Sequence, residues 1–356
     1  MSLIEFGLRD FRCFEAADLR LADVNLFIGP NGAGKTSLIE SIYFLSRARS
    51  FRTGRLDSLL REGAERLQVF GSVAGDSRET RLGVERDRDG IRARFNAMPA
   101  EGVAVLAQAL PVLVIEPHSH QLVEGGPAWR RRFIDWGTFH VEPQFFDQWR
   151  RYRRALSQRN ALLKQGAPPR LLAAWDDELI QAAMVIDAAR RAWLDSFTTA
   201  LPAITARLLP DCDVGMRYRA GWAAAVPLAD ALARAIDTDR DRGVTSVGPH
   251  RADLAVTWNG APAQERVSRG QQKLLAVAML LAQAAVFAGR RADRCVLLVD
   301  DPGAELDAER LARLMQLLAT LDVQLVISGT RAEPLLGYAA SPKMFHVERG
   351  ALREMV

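Results

Sequence analysis

Gly29-Pro-Asn-Gly-Ala-Gly-Lys-Thr36 lies directly after the apolar run Val24 to Ile28 and directly before Leu38-Ile39-Glu40-Ser41-Ile42. That order reads as strand, glycine-rich loop and helix, the setting a phosphate-binding loop requires. Successive backbone N–H groups must turn inward around a β-phosphate, and a Cβ is unwelcome where the chain curls, so glycine is expected at 29, 32 and 34. Lys35 brings a mobile positive charge to the β- and γ-phosphates and Thr36 a hydroxyl for Mg²⁺, while the following helix directs its positive end at the anion. Contacts to a nucleotide are expected along the whole run: Gly29, Pro30, Asn31, Gly32, Ala33, Gly34, Lys35, Thr36 and Ser37.

Two later segments decide what kind of nucleotide protein this is. Cys295-Val-Leu-Leu-Val299 followed by Asp300-Asp301 is a short apolar strand ending in two carboxylates, one to hold Mg²⁺ and one to polarise an attacking water. Alone the pattern is weak, because buried parallel strands often end in an Asp. Ser268-Arg-Gly-Gln-Gln-Lys273 precedes a helical stretch from Leu274 to Ala288. A Ser, a Gly and a helix N-terminus make a second phosphate-binding end, although the same residues also read as a plain N-cap.

The order along the chain carries more than any one motif. A P-loop near the N-terminus, a late Ser-x-Gly-Gln helix start, an acidic strand end and then Ala304-Glu-Leu-Asp307 resemble the head of an ABC-type ATPase. Within that class the chain resembles the RecF family of the SMC-like branch. The stretches that carry the resemblance are Leu8-Arg-Asp-Phe-Arg-Cys-Phe14, Ser50-Phe-Arg-Thr53, Gly126-Pro-Ala-Trp-Arg-Arg-Arg-Phe-Ile-Asp135 and Gly248-Pro-His-Arg251, together with the shared ATPase motifs. They span nearly the whole chain. The resemblance implies an α/β, discontinuous ABC-type P-loop head, residues 1–125 and 203–356, with a helical insert at 126–202. It implies ATP and Mg²⁺ as ligands, Lys35, Asp300 and Asp301 as the catalytic set, and Thr36 with Asp300 on the metal. It also implies that Ser268, Gly270 and Gln271 contact the γ-phosphate held by a partner subunit, so that ATP joins a homodimer. The expected task is DNA repair and recombination in the DNA-damage (SOS) response: binding double-stranded DNA at double-strand/single-strand junctions and, with RecR and RecO, loading RecA.

Bulk properties fit this expectation. At 356 residues and 49% hydrophobic composition there is chain enough for a large core or two domains. Cys13, Cys212 and Cys295 lie far apart, without disulfide or zinc spacing, and the start Met1-Ser-Leu-Ile-Glu-Phe lacks the form of a signal peptide, so a cytoplasmic location is expected. Leu274 to Ala288 is the segment most like a membrane span, yet as a helix it covers only about 22 Å against roughly 30 Å of hydrocarbon. No membrane role is expected. Of the 47 basic residues only Lys35, Lys164, Lys273 and Lys343 are lysines. A GC-rich genome enriches Arg without functional cause, so the clusters matter more than the total. Arg130, Arg131 and Arg132, and Arg150, Arg151, Arg153 and Arg154, either form solvated helix faces or meet a phosphate backbone; with the ATPase resemblance, DNA contacts are assigned to Arg130, Arg131, Arg132, Arg150 and Arg154.

In the middle of the chain Phe145, Trp149, Tyr152, Leu156 and Leu163 recur at helical spacing up to a break at Gly166-Ala-Pro-Pro169. Trp175, Leu179, Ala182, Ile186, Ala189 and Trp193 then form a second seam that ends before Pro202. Two helices joined by a Gly/Pro break predict an antiparallel hairpin, its aromatics packed in a core rather than offered to single-stranded DNA. Short strands are expected at Leu67 to Val73, Arg78 to Glu85, Ile91 to Phe95, Leu254 to Trp258 and Leu321 to Ile327, with turns at Gly75-Asp76 and Asp89-Gly90.

Departures from the general ABC pattern point to slow hydrolysis. Where most such ATPases place a Glu after the metal-binding Asp, this chain has Asp301, one methylene shorter, and a water held slightly off line reacts slowly. Ser328-Gly329-Thr330 stands where transporter ATPases present a switch His, which RecF-like proteins also lack. Gln121 is the candidate for a glutamine-loop residue. His250 reads as a turn residue or, by the resemblance, as a group near the ATP-dependent interface; Arg12 and Arg52 read equally as ligand contacts and surface charges. The rival readings are an ATPase subunit of a membrane transporter, and another SMC-like DNA clamp or defence ATPase.

Overall fold

The computed structural model describes residues 1–75, 79–336 and 342–355. The chain opens with β1 (Ser2–Phe11), β2 (Phe14–Arg20) and β3 (Val24–Ile28), followed by α1 (Lys35–Arg47). Then come β4 (Leu67–Ala74), β5 (Glu79–Asp87), β6 (Gly90–Phe95), β7 (Met98–Pro99), α2 (Val103–Ala109) and β8 (Val112–Ile115). The strands β2-β1-β4-β5-β6-β7 form one antiparallel sheet, with Leu8 opposite Val69 and Val69 opposite Val84. Alternation places Phe6, Leu8, Val69 and Val84 on the buried face, in one core with Leu38, Ile39, Ile42 and Leu45 of α1. The predicted strand over Arg78 to Glu85 is found from Glu79 onward; Asp76 and Arg78, and with them the Gly75-Asp76 turn, lie outside the described residues.

The middle of the chain is mainly helical: α3 (Gln121–Glu124), α4 (Pro127–Val141), α5 (Phe145–Lys164) and α6 (Pro169–Leu208). Next are β9 (Val214–Arg219), α7 (Leu228–Arg242), β10 (Asp253–Trp258), β11 (Ala261–Pro262), α8 (Ala263–Arg266) and α9 (Arg269–Arg291). Arg159 pairs with Asp176 and Arg151 with Glu178, so α5 and α6 run in opposite directions as the predicted hairpin. Phe145, Tyr152, Leu156, Leu179, Ala182 and Ile186 are buried between them, which commits most of the aromatic seam to packing.

The second helix does not stop at Pro202. A proline inside a helix removes a hydrogen bond and costs about 3 kcal/mol. Here Leu201, Ile204 and Leu208 continue the buried face beyond Phe197, and their burial offsets that cost and carries α6 on to Leu208.

The chain returns through β12 (Val296–Val299), α10 (Pro302–Glu305), α11 (Ala308–Leu318), β13 (Gln324–Gly329), β14 (Lys343–Glu348) and β15 (Ala351–Met355). A second sheet has the order β15-β14-β3-β13-β12-β8, in which all pairs but β15–β14 are parallel. Parallel order brings the carboxyl ends of β3, β8, β12 and β13 to one edge, where the glycine loop and Asp300 emerge. The chain divides into two compact units, Met1–Ser119 with Met279–Val356, and His120–Ala278. The expected division at 203 falls inside α6, while the three-stranded sheet of β9, β10 and β11 and the helix α7 belong to the helical unit. Among the described residues α9 is the one helix long and apolar enough to cross a membrane, and 72% of its most apolar window is buried within the protein.

Candidate nucleotide-binding site

The loop between β3 and α1 uses its glycines for two different reasons. A Cβ on Gly29 would lie 2.1 Å from the Val347 carbonyl oxygen, so its absence lets the loop pass under β14. Gly32 has open space around it but a φ of +78°, a left-handed backbone that favours glycine. Gly34 combines both constraints, with φ +113° and a Cβ position 2.8 Å from Cys13 Sγ. Gly34 also caps α1 without any side-chain hydrogen bond, and no acidic residue occupies the first turn. The first-turn N–H groups are therefore left for an anion. Lys35 Nζ donates to the carbonyls of Gly29 and Pro30 at 2.8 and 2.9 Å, which holds the ammonium against the loop. Burial lowers its pKa, and the carboxylates of Asp301 and Asp300 oppose that shift. Asn31, Gly32, Gly34, Lys35, Thr36, Ser37 and Asp301 line a cavity of about 1080 Å³.

Asp300 lies beside Thr36, on an adjoining cavity. The Thr36 hydroxyl lies 2.9 Å from both of its carboxylate oxygens, and the Ser328 hydroxyl donates to Oδ1 at 2.7 Å. Burial raises the Asp300 pKa, while the Ser328 and Thr36 hydroxyls pull it back. Two hard oxygen donors, the Thr36 hydroxyl and the Asp300 carboxylate, thus converge beside the loop. That set fits Mg²⁺, which takes one or two protein oxygens and completes its shell with water and phosphate. Asp301 follows in the left-handed region, φ 44° and ψ 59°, with its N–H donating to Ser328 Oγ at 2.9 Å.

Sequence reasoning missed Glu40. It is fully buried in α1, yet it accepts both Nε and Nη2 of Arg12 at 2.9 and 2.8 Å, with Ser50 and Arg52 also on its carboxylate. Arg12 and Arg52, which read equally as ligand contacts and surface charges, are tied there at the cavity rim. An acid inside the apolar run Leu38 to Ile42 was the available signal. Glu116 and His118, just past β8, were missed as well: with Thr36, Asp300, Arg12 and Arg52 they line an adjoining cavity of about 530 Å³. Gln121 opens α3 in the other unit, its amide 3.3 Å from His120 Nε2.

In the second unit Ser268 stands immediately before α9. Its N–H donates to Gln271 Oε1 at 2.9 Å, and the Gln271 N–H points back to Ser268 Oγ at 3.4 Å, a reciprocal capping box. Ser268 is exposed, and Gly270 and Gln271 are half-buried. The motif therefore presents a hydroxyl and an uncluttered helix start to solvent.

The two halves of this chemistry sit in a chain with full-length relatives. A family model described as RecF/RecN/SMC N-terminal domain matches residues 2–352. The DNA replication and repair protein RecF of Xanthomonas axonopodis pv. citri is 40% identical over 361 residues, covering 99% of this chain and 98% of the relative. The chain belongs to the RecF family. RecF of Yersinia pestis is 37% identical, covering 99% of this chain and 98% of its own. A solved structure described as the recombination mediator protein RecF-ATP in the RecFOR pathway superposes with a TM-score of 0.89 at 23% identity, covering 99% of each chain. The Smc head domain from Pyrococcus furiosus superposes with a TM-score of 0.62 at 14% identity, over 99% of this chain and 95% of that one. Both confirm the fold of a RecF and SMC-type ATPase head, and the RecF relatives set aside the transporter reading.

The segments that marked the RecF resemblance have structural work in the helical unit. Arg130 is buried, donates from Nε and Nη2 to Asp253 and from Nη1 to the Gly125 carbonyl, and is not available to a DNA phosphate. Arg131 is half-buried and donates to the Ala252 carbonyl at 2.8 Å. Arg151, in the second cluster, is held by Glu178. Arg132, Arg150, Arg153 and Arg154 are exposed and form no ion pair with any described residue. Three of them lie over aromatic rings: Arg132 over Trp129, Arg150 over Phe146 and Arg153 over Trp149, at 5.6, 5.8 and 5.2 Å. In Gly248-Pro-His-Arg251, Gly248 takes φ +127°, and a Cβ there would meet Tyr152 Oη at 2.6 Å. His250 lies between Tyr152 Oη and the Thr245 carbonyl.

Proposed function

We propose that this chain is an ATP-gated DNA-binding protein of recombinational repair. The observation that carries the reading is the convergence of Lys35, Thr36 and Asp301 on one cavity, with the Asp300 carboxylate on the Thr36 hydroxyl, in a chain that matches RecF proteins over nearly its whole length. Lys35 and the first-turn N–H groups of α1 hold the ATP phosphates; Thr36 and Asp300 hold Mg²⁺. When bound, Mg²⁺ neutralises phosphate charge and fixes its orientation. Asp301 positions a water, and its short side chain keeps hydrolysis slow, so that binding of ATP is the signal and its hydrolysis the reset. Ser268, Gly270 and Gln271 close on the γ-phosphate of a partner copy in an ATP-dependent homodimer.

Duplex DNA near a single-strand boundary is the partner of the exposed arginines. The set differs from the sequence-based one: Arg132, Arg150, Arg153 and Arg154 supply the phosphate contacts, Arg130 and Arg131 being engaged within the fold. Family membership supports work with RecR and RecO to load RecA, in the cytoplasm. Sizing with and without ATP and a gapped duplex tests the reading. A dimer that forms only with ATP and then retains DNA is expected; a monomer under every condition overturns it.

A further inference from the structure

We propose that the Ser328 hydroxyl is a positioning group for the nucleotide site, fixing the Asp300 carboxylate and the Asp301 backbone together. Ser328 is fully buried in β13, the strand that lies between β3 and β12. Strand register sets Ser328 opposite Phe27 of β3, and on its other side Ile327 opposite Val299 of β12, so Ser328 lies level with the step from Val299 to Asp300. Expecting the strand to end at Ile327 concealed this, because the strand continues through Gly329 and Ser328 is part of the sheet rather than of the loop beyond it.

A hydroxyl has one proton to give and lone pairs to receive with. The Ser328 proton goes to Asp300 Oδ1, at 2.7 Å, and a lone pair accepts the Asp301 N–H, at 2.9 Å. Both bonds act on residues with reason to move. Asp300 is a buried carboxylate whose Oδ2 is hydrogen-bonded to Thr36 alone among the described residues, so without Ser328 its rotamer depends on one partner. Asp301 is held in a left-handed conformation that costs an L-residue roughly 1–2 kcal/mol, and the Ser328 bond is what its N–H receives for adopting it. That conformation determines where the Asp301 side chain leaves the backbone, at the wall of the P-loop cavity. One hydroxyl thus couples the carboxylate assigned to the metal with the carboxylate assigned to water. An apolar side chain at 328 would release both.

The inference rests on the proposed assignment of Asp300 to Mg²⁺, and the test separates the two. A fluorescent ATP analogue is titrated into wild type, Ser328→Ala and Ser328→Thr, each in EDTA and in Mg²⁺, and steady-state hydrolysis is measured alongside. Wild type should gain affinity on adding Mg²⁺; if it gains none, the metal assignment itself is lost. Ser328→Ala should bind the analogue in EDTA within about twofold of wild type, lose tenfold or more of the Mg²⁺-dependent gain, and lose kcat further than KM rises. Ser328→Thr keeps the hydroxyl and should recover most of both. Should the alanine variant fail to fold, Ser328→Cys, with a weak thiol donor of larger volume, is expected to show the same selective loss. A wild-type Mg²⁺ gain retained in the alanine or cysteine variant, with kcat within twofold, overturns the proposal, as does an equal loss in EDTA and in Mg²⁺.

Discussion

Thr36 and Asp300, 264 positions apart in the chain, meet side chain to side chain at 2.9 Å. The contact joins the start of α1 to the end of β12, and burial raises the pKa of the carboxylate there. A charge disfavoured by its surroundings is kept for a ligand rather than for the fold. Asp300→Asn keeps the shape and an oxygen for the Thr36 and Ser328 hydroxyls while removing that charge. The ligand-free variant should unfold at the same temperature as wild type or slightly higher, by about 1 kcal/mol at most. Its ATP turnover should fall at least tenfold. A scan of thermal unfolding beside an ATPase assay checks both, and a variant less stable than wild type by more than 1 kcal/mol would contradict the account.

The exposed arginines over Trp129, Phe146 and Trp149 predict a measurable division of labour. Each lost phosphate contact lowers the slope of log affinity against log salt by about 0.9 on duplex DNA. Arg150→Ala with Arg153→Ala should therefore reduce the slope by about two units, whereas Arg151→Ala, a residue paired to Glu178, should leave it nearly unchanged. Arg130→Ala should act on the fold, since it takes the ion-pair partner from the half-buried Asp253 and the donor from the Gly125 carbonyl, at a cost of about 3 kcal/mol. Equal slope changes for Arg151 and for the Arg150/Arg153 pair would remove the distinction.

Tyr152 and His250 predict an acid limb in stability. The Thr245 carbonyl can only accept, so His250 Nε2 carries the proton and Nδ1 accepts from the Tyr152 hydroxyl. Burial pushes the His250 pKa down to about 4 from 6.5; Arg251 and Arg131 add to the shift, and the Thr245 bond and Asp239 oppose it. Between those values the unfolded chain binds the extra proton, so stability is fully present above about pH 6.5 and is lost as pH falls towards 4. His250→Gln should cost about 2 kcal/mol near neutrality, and the difference from wild type should shrink towards pH 4. Urea unfolding of both proteins across that range provides the measurement, and a constant difference would show that folding does not lower the His250 pKa.

The parts of this protein that were legible in the sequence are those in which one local pattern determines both shape and chemistry. Val24 to Ile28, the glycine loop and the helix after it occur as read, because a short apolar run, φ-positive glycines and a helix start leave few alternatives. Asp300 was found because it ends an apolar strand. The hub residues were not: Glu40 draws together Arg12, Ser50 and Arg52, and Ser328 joins Asp300 to Asp301, through contacts that only the folded chain creates. Arg130 and Arg132 look identical in sequence, yet helical geometry points one at Asp253 and the other outward. Pro202 was read as a terminator because propensity speaks for one residue, whereas Leu201, Ile204 and Leu208 act through tertiary packing.

The proposed homodimer makes a prediction that depends on Ser268 acting across the interface. In a head-to-tail pair each ATP lies between Lys35 of one copy and Ser268 of the other. Lys35→Ala removes the phosphate charge from one half, and Ser268→Arg fills the exposed helix start of the other half with a side chain too large for a phosphate to approach. Each variant alone forms homodimers with two damaged sites and should hydrolyse little ATP. In a heterodimer of the two, one site collects both lesions, while the other combines an intact Lys35 with an intact Ser268. Mixing should then restore part of the wild-type rate, up to about one quarter at equal amounts with random pairing, since half the dimers are mixed and each carries one working site of two. The share of mixed dimers is counted by tagging one copy. If mixed dimers form and ATP hydrolysis does not recover, either Ser268 serves the nucleotide of its own chain or both sites must fire together; a covalently linked dimer with one wild-type half and one doubly mutated half separates these, because in such a dimer trans sites are each damaged once and a cis site is left whole.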